Sequence, residues 1–158
     1  LDPIRLANII NSNASIEEYE IFKKYPSSLN IELKKTQFLA KININGKIQI
    51  IGSNGKLSEN KLLKNDLPFI FGNPNVKEFL TFKKILDDSE FSYNEIENFY
   101  FFPSKRWDLQ LKNGIIIKLS QKNINESLKN AFLFLNNIDL SNLKIIDARL
   151  QKKIILND

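Results

Sequence analysis

Residues 105–120 read Lys-Arg-Trp-Asp-Leu-Gln-Leu-Lys-Asn-Gly-Ile-Ile-Ile-Lys-Leu-Ser and contain the one tryptophan of the chain. Trp107, Leu109 and Leu111 alternate with polar residues before an Asn-Gly pair, and Ile115, Ile117 and Leu119 keep that period after it. A period of two belongs to a strand with one buried face, so the stretch is a hairpin. Its loop length decides which faces meet. A two-residue Asn113-Gly114 loop pairs Leu111 with Ile116 and sets the apolar rows on opposite faces. A three-residue loop, 112–114, pairs Leu111 with Ile115, Leu109 with Ile117 and Trp107 with Leu119. A slip of one residue turns every side chain over, so we take the three-residue loop with Gly114 left-handed. Trp107 then belongs to a core wall rather than to a platform for bases or for another chain.

Punctuation elsewhere extends this reading. Asp2-Pro3 is an N-cap and N1 pair before Ile4, Ala7 and Ile10, which predicts a short helix over 1–13. A strand of mixed polarity over 15–24 follows, then the turn Tyr25-Pro26-Ser27-Ser28 and a half-buried strand carrying Leu29, Ile31 and Leu33. Ala40, Ile42 and Ile44 lead to Asn45-Gly46, Ile48 and Ile50 return, and Ser53-Asn54-Gly55 marks another turn. Leu67-Pro68 through Gly72 reads as an irregular apolar connector. Asn73-Pro74 caps a helix over 75–87, a strand follows near 97–102, and Asn123 with Glu126 opens a second long helix with a reaching cap. Residues 143–156 form terminal strands, interrupted by Asp147, Arg149, Lys152 and Lys153. The predicted class is α+β: an antiparallel sheet with helices packed on one face.

Cysteine and histidine are both absent. Thiolate nucleophiles, thiolate and imidazole metal ligands and the usual neutral-pH proton shuttle go with them. The adjacent carboxylates Asp87-Asp88 and Glu17-Glu18 point apart on a helix or strand and read as solvated charge. Gly occurs five times and never in a phosphate-loop spacing. No catalytic, cofactor or metal residue is assigned, and the chain is not read as an enzyme. The net charge of +5 comes from 23 basic and 18 acidic side chains scattered without a long block, so no nucleic-acid arm is predicted. The aromatics of 100–102 and 132–134 go to the core by periodicity. No apolar run approaches the ~20 residues of a membrane span. With no methionine at all, Leu1 is read as the start of a processed fragment, any targeting or anchoring segment lying upstream.

The terminal strand stands apart, because a last strand at a sheet edge offers unpaired backbone groups to another chain. Lys152 and Lys153 fit two roles there equally well, as edge charges against aggregation or as charges that steer a partner.

Four motifs in order carry a resemblance. They are Tyr25-Pro26-Ser27-Ser28-Leu29-Asn30-Ile31, Leu67-Pro68-Phe69-Ile70-Phe71-Gly72, Arg106-Trp107-Asp108-Leu109 with its hairpin, and Ile145-Ile146-Asp147-Ala148-Arg149. The chain resembles the FtsQ family of bacterial cell-division proteins, also called DivIB, over nearly its whole length. It departs from the family pattern at Lys35-Thr36-Gln37-Phe38, at Ala148 and at Leu150. The resemblance implies residues 1–42 as the later part of a POTRA domain and 43–158 as the β domain. It implies a non-catalytic scaffold of a single-pass inner-membrane protein, this part lying on the periplasmic side at the division septum. The implied partners are FtsB and FtsL on the β domain, with a strand of FtsB added to the last strand, and FtsK on the POTRA domain. By position the partner surface centres on Arg149, Leu150, Lys152 and Lys153, with Lys105 and Arg106 nearby. No cofactor is implied. The alternative reading is a POTRA-type chaperone module for outer-membrane proteins.

Overall fold

The computed structural model describes residues 2–59, 66–137, 142–150 and 155–157. It opens with α1 (Pro3–Ser12), where the Asp2 carboxylate accepts the Ile4 N–H at 3.0 Å, followed by β1 (Ile16–Lys24) and β2 (Ser28–Lys35). These two strands form a sheet of their own. A two-stranded ribbon cannot bury a face unaided. Ile31 and Leu33 were expected to be half-buried, yet they are 37% and 54% exposed. Leu29 and Ile31 line, with Leu6 of α1, a cleft of about 530 Å³.

The rest builds one large sheet. Its strands are β3 (Phe38–Ile44), β4 (Lys47–Gly52), β5 (Leu57–Ser58), β6 (Phe69–Phe71), β7 (Ile96–Phe101), β8 (Trp107–Leu111), β9 (Ile116–Lys118), β10 (Ile145–Asp147) and β11 (Ile155–Asn157). Among the described residues their order is β11-β10-β9-β8-β7-β6-β3-β4-β5. Two helices, α2 (Val76–Asp87) and α3 (Ile124–Leu135), join them. The class is α+β as expected, and the sheet is mixed. β6 runs parallel to both β3 and β7, and β10 runs parallel to β9.

The hairpin that opened the sequence has the three-residue register: Leu109 faces Ile117, and the Leu111 N–H meets the Ile115 carbonyl at 2.9 Å. Gly114 has φ +91°, so the turn takes the residue type it needs. Trp107 is 4% exposed and stacks on Phe82 of α2, the ring centroids 4.7 Å apart and the planes 6° from parallel. The same core holds Phe79, Phe99, Leu109, Ile117, Leu128 and Ile146, each 0% exposed. Each such burial contributes about 1.5–3 kcal/mol.

Three expectations change. Phe69–Phe71 is a strand in the middle of the sheet, not a connector. It is too short to show a period, and the Pro68 carbonyl before it accepts the Lys41 N–H at 2.9 Å. Asn75, not Asn73-Pro74, caps α2. Its side chain accepts the Glu78 N–H at 2.8 Å while Glu78 accepts the Asn75 N–H at 2.9 Å, a complete capping box. Asn123 makes no side-chain cap bond to α3. There the Ser127 hydroxyl accepts the Ser120 N–H and donates to the Ala148 carbonyl, tying the helix start to the ends of two strands.

Candidate docking edge

β11 pairs antiparallel with β10 through Ile145–Asn157, Ile146–Leu156 and Asp147–Ile155, and among the described residues no strand lies on its outer side. The main-chain groups on that side are the kind that receive an added strand.

The sheet register brings distant residues into one row beside this edge. Tyr100 pairs with Asp108, Asp108 with Lys118, Lys118 with Asp147, and Asp147 with Ile155. Successive strands therefore present Asp108, Lys118 and Asp147 as alternating charges. Each aspartate also holds an arginine two residues away, since positions i and i+2 of extended chain share a face. Arg106 donates from Nε and Nη2 to the two carboxylate oxygens of Asp108, both at 3.1 Å. Arg149 donates from Nε to Asp147 Oδ1 at 2.8 Å and from Nη2 to the other oxygen. Bidentate pairs of this kind fix orientation as well as charge. The Ala148 carbonyl held by Ser127 keeps the chain in place just before Arg149.

The electrostatics of the two aspartates differ. Asp108 is 3% exposed, and burial pushes its carboxyl up, against the pull of Arg106. The Leu119 N–H adds a third bond to that carboxylate at 3.2 Å. The Arg149 guanidinium draws Asp147 below the usual carboxylate range, and Asp147 in turn holds Arg149 more firmly charged.

The expected partner-facing residues therefore divide. Arg106 and Arg149 are each held against an aspartate of the same row, Asp108 and Asp147. Leu150 is 54% exposed beside them. Lys105 turns instead to α2. Its ammonium is 2.7 Å from Glu78 and sits over the Phe101 ring at 5.4 Å. It adopts φ +66°, a left-handed conformation costing about 1–3 kcal/mol in a residue with a side chain. Lys152 and Lys153 lie outside the described residues. Asp108, Lys118 and Asp147 were not among the residues expected at the partner surface, though the spacings Arg-x-Asp at 106–108 and Asp-x-Arg at 147–149 carried the signal.

The adjacent carboxylates read as solvated charge hold lysines and a hydroxyl. Asp87 pairs with Lys83 at 2.6 Å, Glu18 with Lys34 at 3.3 Å, and Glu17 accepts the Ser53 hydroxyl at 2.8 Å. Among the described residues no cluster of His, Cys, Asp or Glu has the makings of a metal site, and no helix is long and apolar enough to cross a membrane.

The fold is an α+β domain built on a mixed sheet, whose terminal strand is open on one side among the described residues. The chain belongs to the cell division protein FtsQ/DivIB family, whose C-terminal part matches residues 40–149. It is 29% identical to the cell division protein FtsQ of Rickettsia bellii, over 97% of this chain and 58% of that protein. Against the FtsQ of Rhizobium radiobacter the identity is 27%, over 72% of this chain and 55% of that protein. Against that of Rickettsia conorii it is 26%, over 97% and 58%. The chain spans about half the length of the curated relatives it matches. The family is not a known enzyme family.

Proposed function

We propose that this chain is the periplasmic part of a single-pass inner-membrane protein that scaffolds the division machinery at the septum without catalysis. It acts by strand addition. A strand of FtsB extends the sheet beyond β11, FtsL accompanies it, and the N-terminal module is the part linked to FtsK. The division into a POTRA remnant over 1–42 and a β domain over 43–158 belongs to this proposal, and its boundary falls inside β3 (Phe38–Ile44), a strand of the large sheet. The observation that carries the reading is the position of β11 at the sheet edge, with β10 as its neighbour strand. Main-chain pairing supplies affinity in such a complex, and side chains select the partner. Arg106, Arg149 and Leu150 take that selecting role, together with Lys152 and Lys153, while Lys105 is held by Glu78 of α2.

The test is calorimetric titration of the chain with the extracytoplasmic segment of FtsB from the same organism. A second titration uses that segment with a proline in its strand. Placed where its N–H would otherwise point at β11, proline removes a ladder donor and opposes the pairing. Binding by the natural segment and its loss with proline supports strand addition. Equal binding by both, or none by either, overturns the proposal.

A further inference from the structure

The N-terminal module and the large sheet are joined by Thr36 and Gln37, the two residues between β2 and β3. A link that short with no other contact is a swivel, and motion between modules is the ordinary expectation. Here the turn between β4 and β5 reaches back across it. The Asn54 side-chain amide donates to the Ala14 and Ile16 carbonyls, each at 3.0 Å, while its oxygen accepts the Lys56 N–H at 3.0 Å. The Ser53 hydroxyl donates to Glu17 at 2.8 Å and accepts the Gln37 N–H at 3.1 Å. The Ser53 N–H in turn meets the Gln37 carbonyl at 2.8 Å, and the Thr36 N–H meets the Ser15 carbonyl at 3.0 Å. Lys56 reaches the Asn11 carbonyl at the end of α1, at 2.6 Å.

The backbone of the turn is built for this approach. A Cβ on Gly52 would lie 2.5 Å from Thr36 Cγ2 and 2.7 Å from Asn54 Oδ1, and Gly55 has φ +76°. Neither position accepts a side chain without moving the link or the turn.

We propose that the Ser53-Asn54-Gly55 turn is a latch that locks the helix–hairpin module onto the large sheet, so that the joint at 36–37 is rigid. Its contacts fall on the end of α1, on the loop after it and on the start of β1. Three separate points of attachment fix an orientation where one would leave rotation free. The β11 edge then keeps a constant direction relative to α1 and β1. This inference does not depend on which partner that edge receives.

Residual dipolar couplings on the unmodified 158-residue chain test it. Amides of β1 and β2 and those of the large sheet are expected to fit one alignment tensor. The isosteric Asn54→Asp sets a carboxylate against two carbonyls, and Asn54→Ala removes both donors. Either is expected to split the couplings into two tensors, and to speed tryptic cleavage at Lys34-Lys35 on the order of tenfold. Two tensors in the unmodified chain overturn the proposal, and that measurement stands alone if a variant fails to fold. One tensor with unchanged cleavage in both folded variants overturns it equally.

Discussion

Trp107 shows how much one side chain holds. Its ring contacts Phe82 and Phe101 at centroid distances of 4.7 and 4.6 Å, with Phe79 and Phe99 at 6.3 and 6.4 Å. Trp107→Ala is expected to cost about 3–5 kcal/mol in a denaturant melt, a loss no exposed indole would show. Thr36 gives the opposite prediction. It is 8% exposed and its hydroxyl has no hydrogen-bond partner among the described residues. Thr36→Val keeps the shape and removes the unpaired group, so stability should rise by about 1 kcal/mol. Asp147 makes stability depend on pH. Its folded carboxyl titrates below the ordinary value near 3.8, so its contribution is present above that value and is lost as the pH falls through the lowered one. Asp108, whose carboxyl is pushed up, acts with the opposite sign, favouring the folded state less as the pH rises past 3.8. Comparing the natural chain with Asp147→Asn cancels the Asp108 part. Their stability difference should shrink steadily in melts taken from pH 5 downward, and a constant difference would deny the pairing with Arg149. The inward direction of Trp107 was legible, because alternation assigns a face. The burial of Asp108 was not, although its Arg-x-Asp spacing was visible, because it depends on a strand pairing that alternation does not report.

At the level of elements, the two long helices start differently. Asn75 closes a full capping box, whereas Asn123 makes no side-chain cap bond. Asn75→Ala should therefore cost about 1 kcal/mol, and Asn123→Ala only a few tenths, both read from thermal melts. Equal losses would mean that the caps are equivalent. The sequence patterns of the two starts look alike, and competition from Ser120 and Ser127 for the backbone at 120–123 separates them. The hairpins make a similar contrast. The three-residue loop at 112–114 sets Ile115, Ile117 and Leu119 on the core face. The two-residue loop Asn45-Gly46 instead pairs Ile48 with Asn43 and leaves Ile48 60% exposed. Strand existence could be read from period, and register from loop length. The three-residue β6 could not be read, since its parallel neighbours lie far away in the chain and its side chains show no period.

Across the whole molecule, the sheet carries the connection between sequence and role. One register row spans β7 to β11 and gathers Asp108, Lys118 and Asp147, with Arg106 and Arg149 held against them, beside the open edge. At the far edge β5 is two residues long. Family membership was legible from four short motifs in order. The placement of Lys105 against α2 was not, because only the folded turn brings it to Glu78. Docking of a strand at β11 is tested by amide hydrogen exchange over 143–157, with and without the extracytoplasmic segment of FtsB. Slowed exchange is expected at the outward amides of 155–157, with β5 unchanged. Exchange in β11 that stays the same while a complex forms, or protection centred on β5, would contradict it.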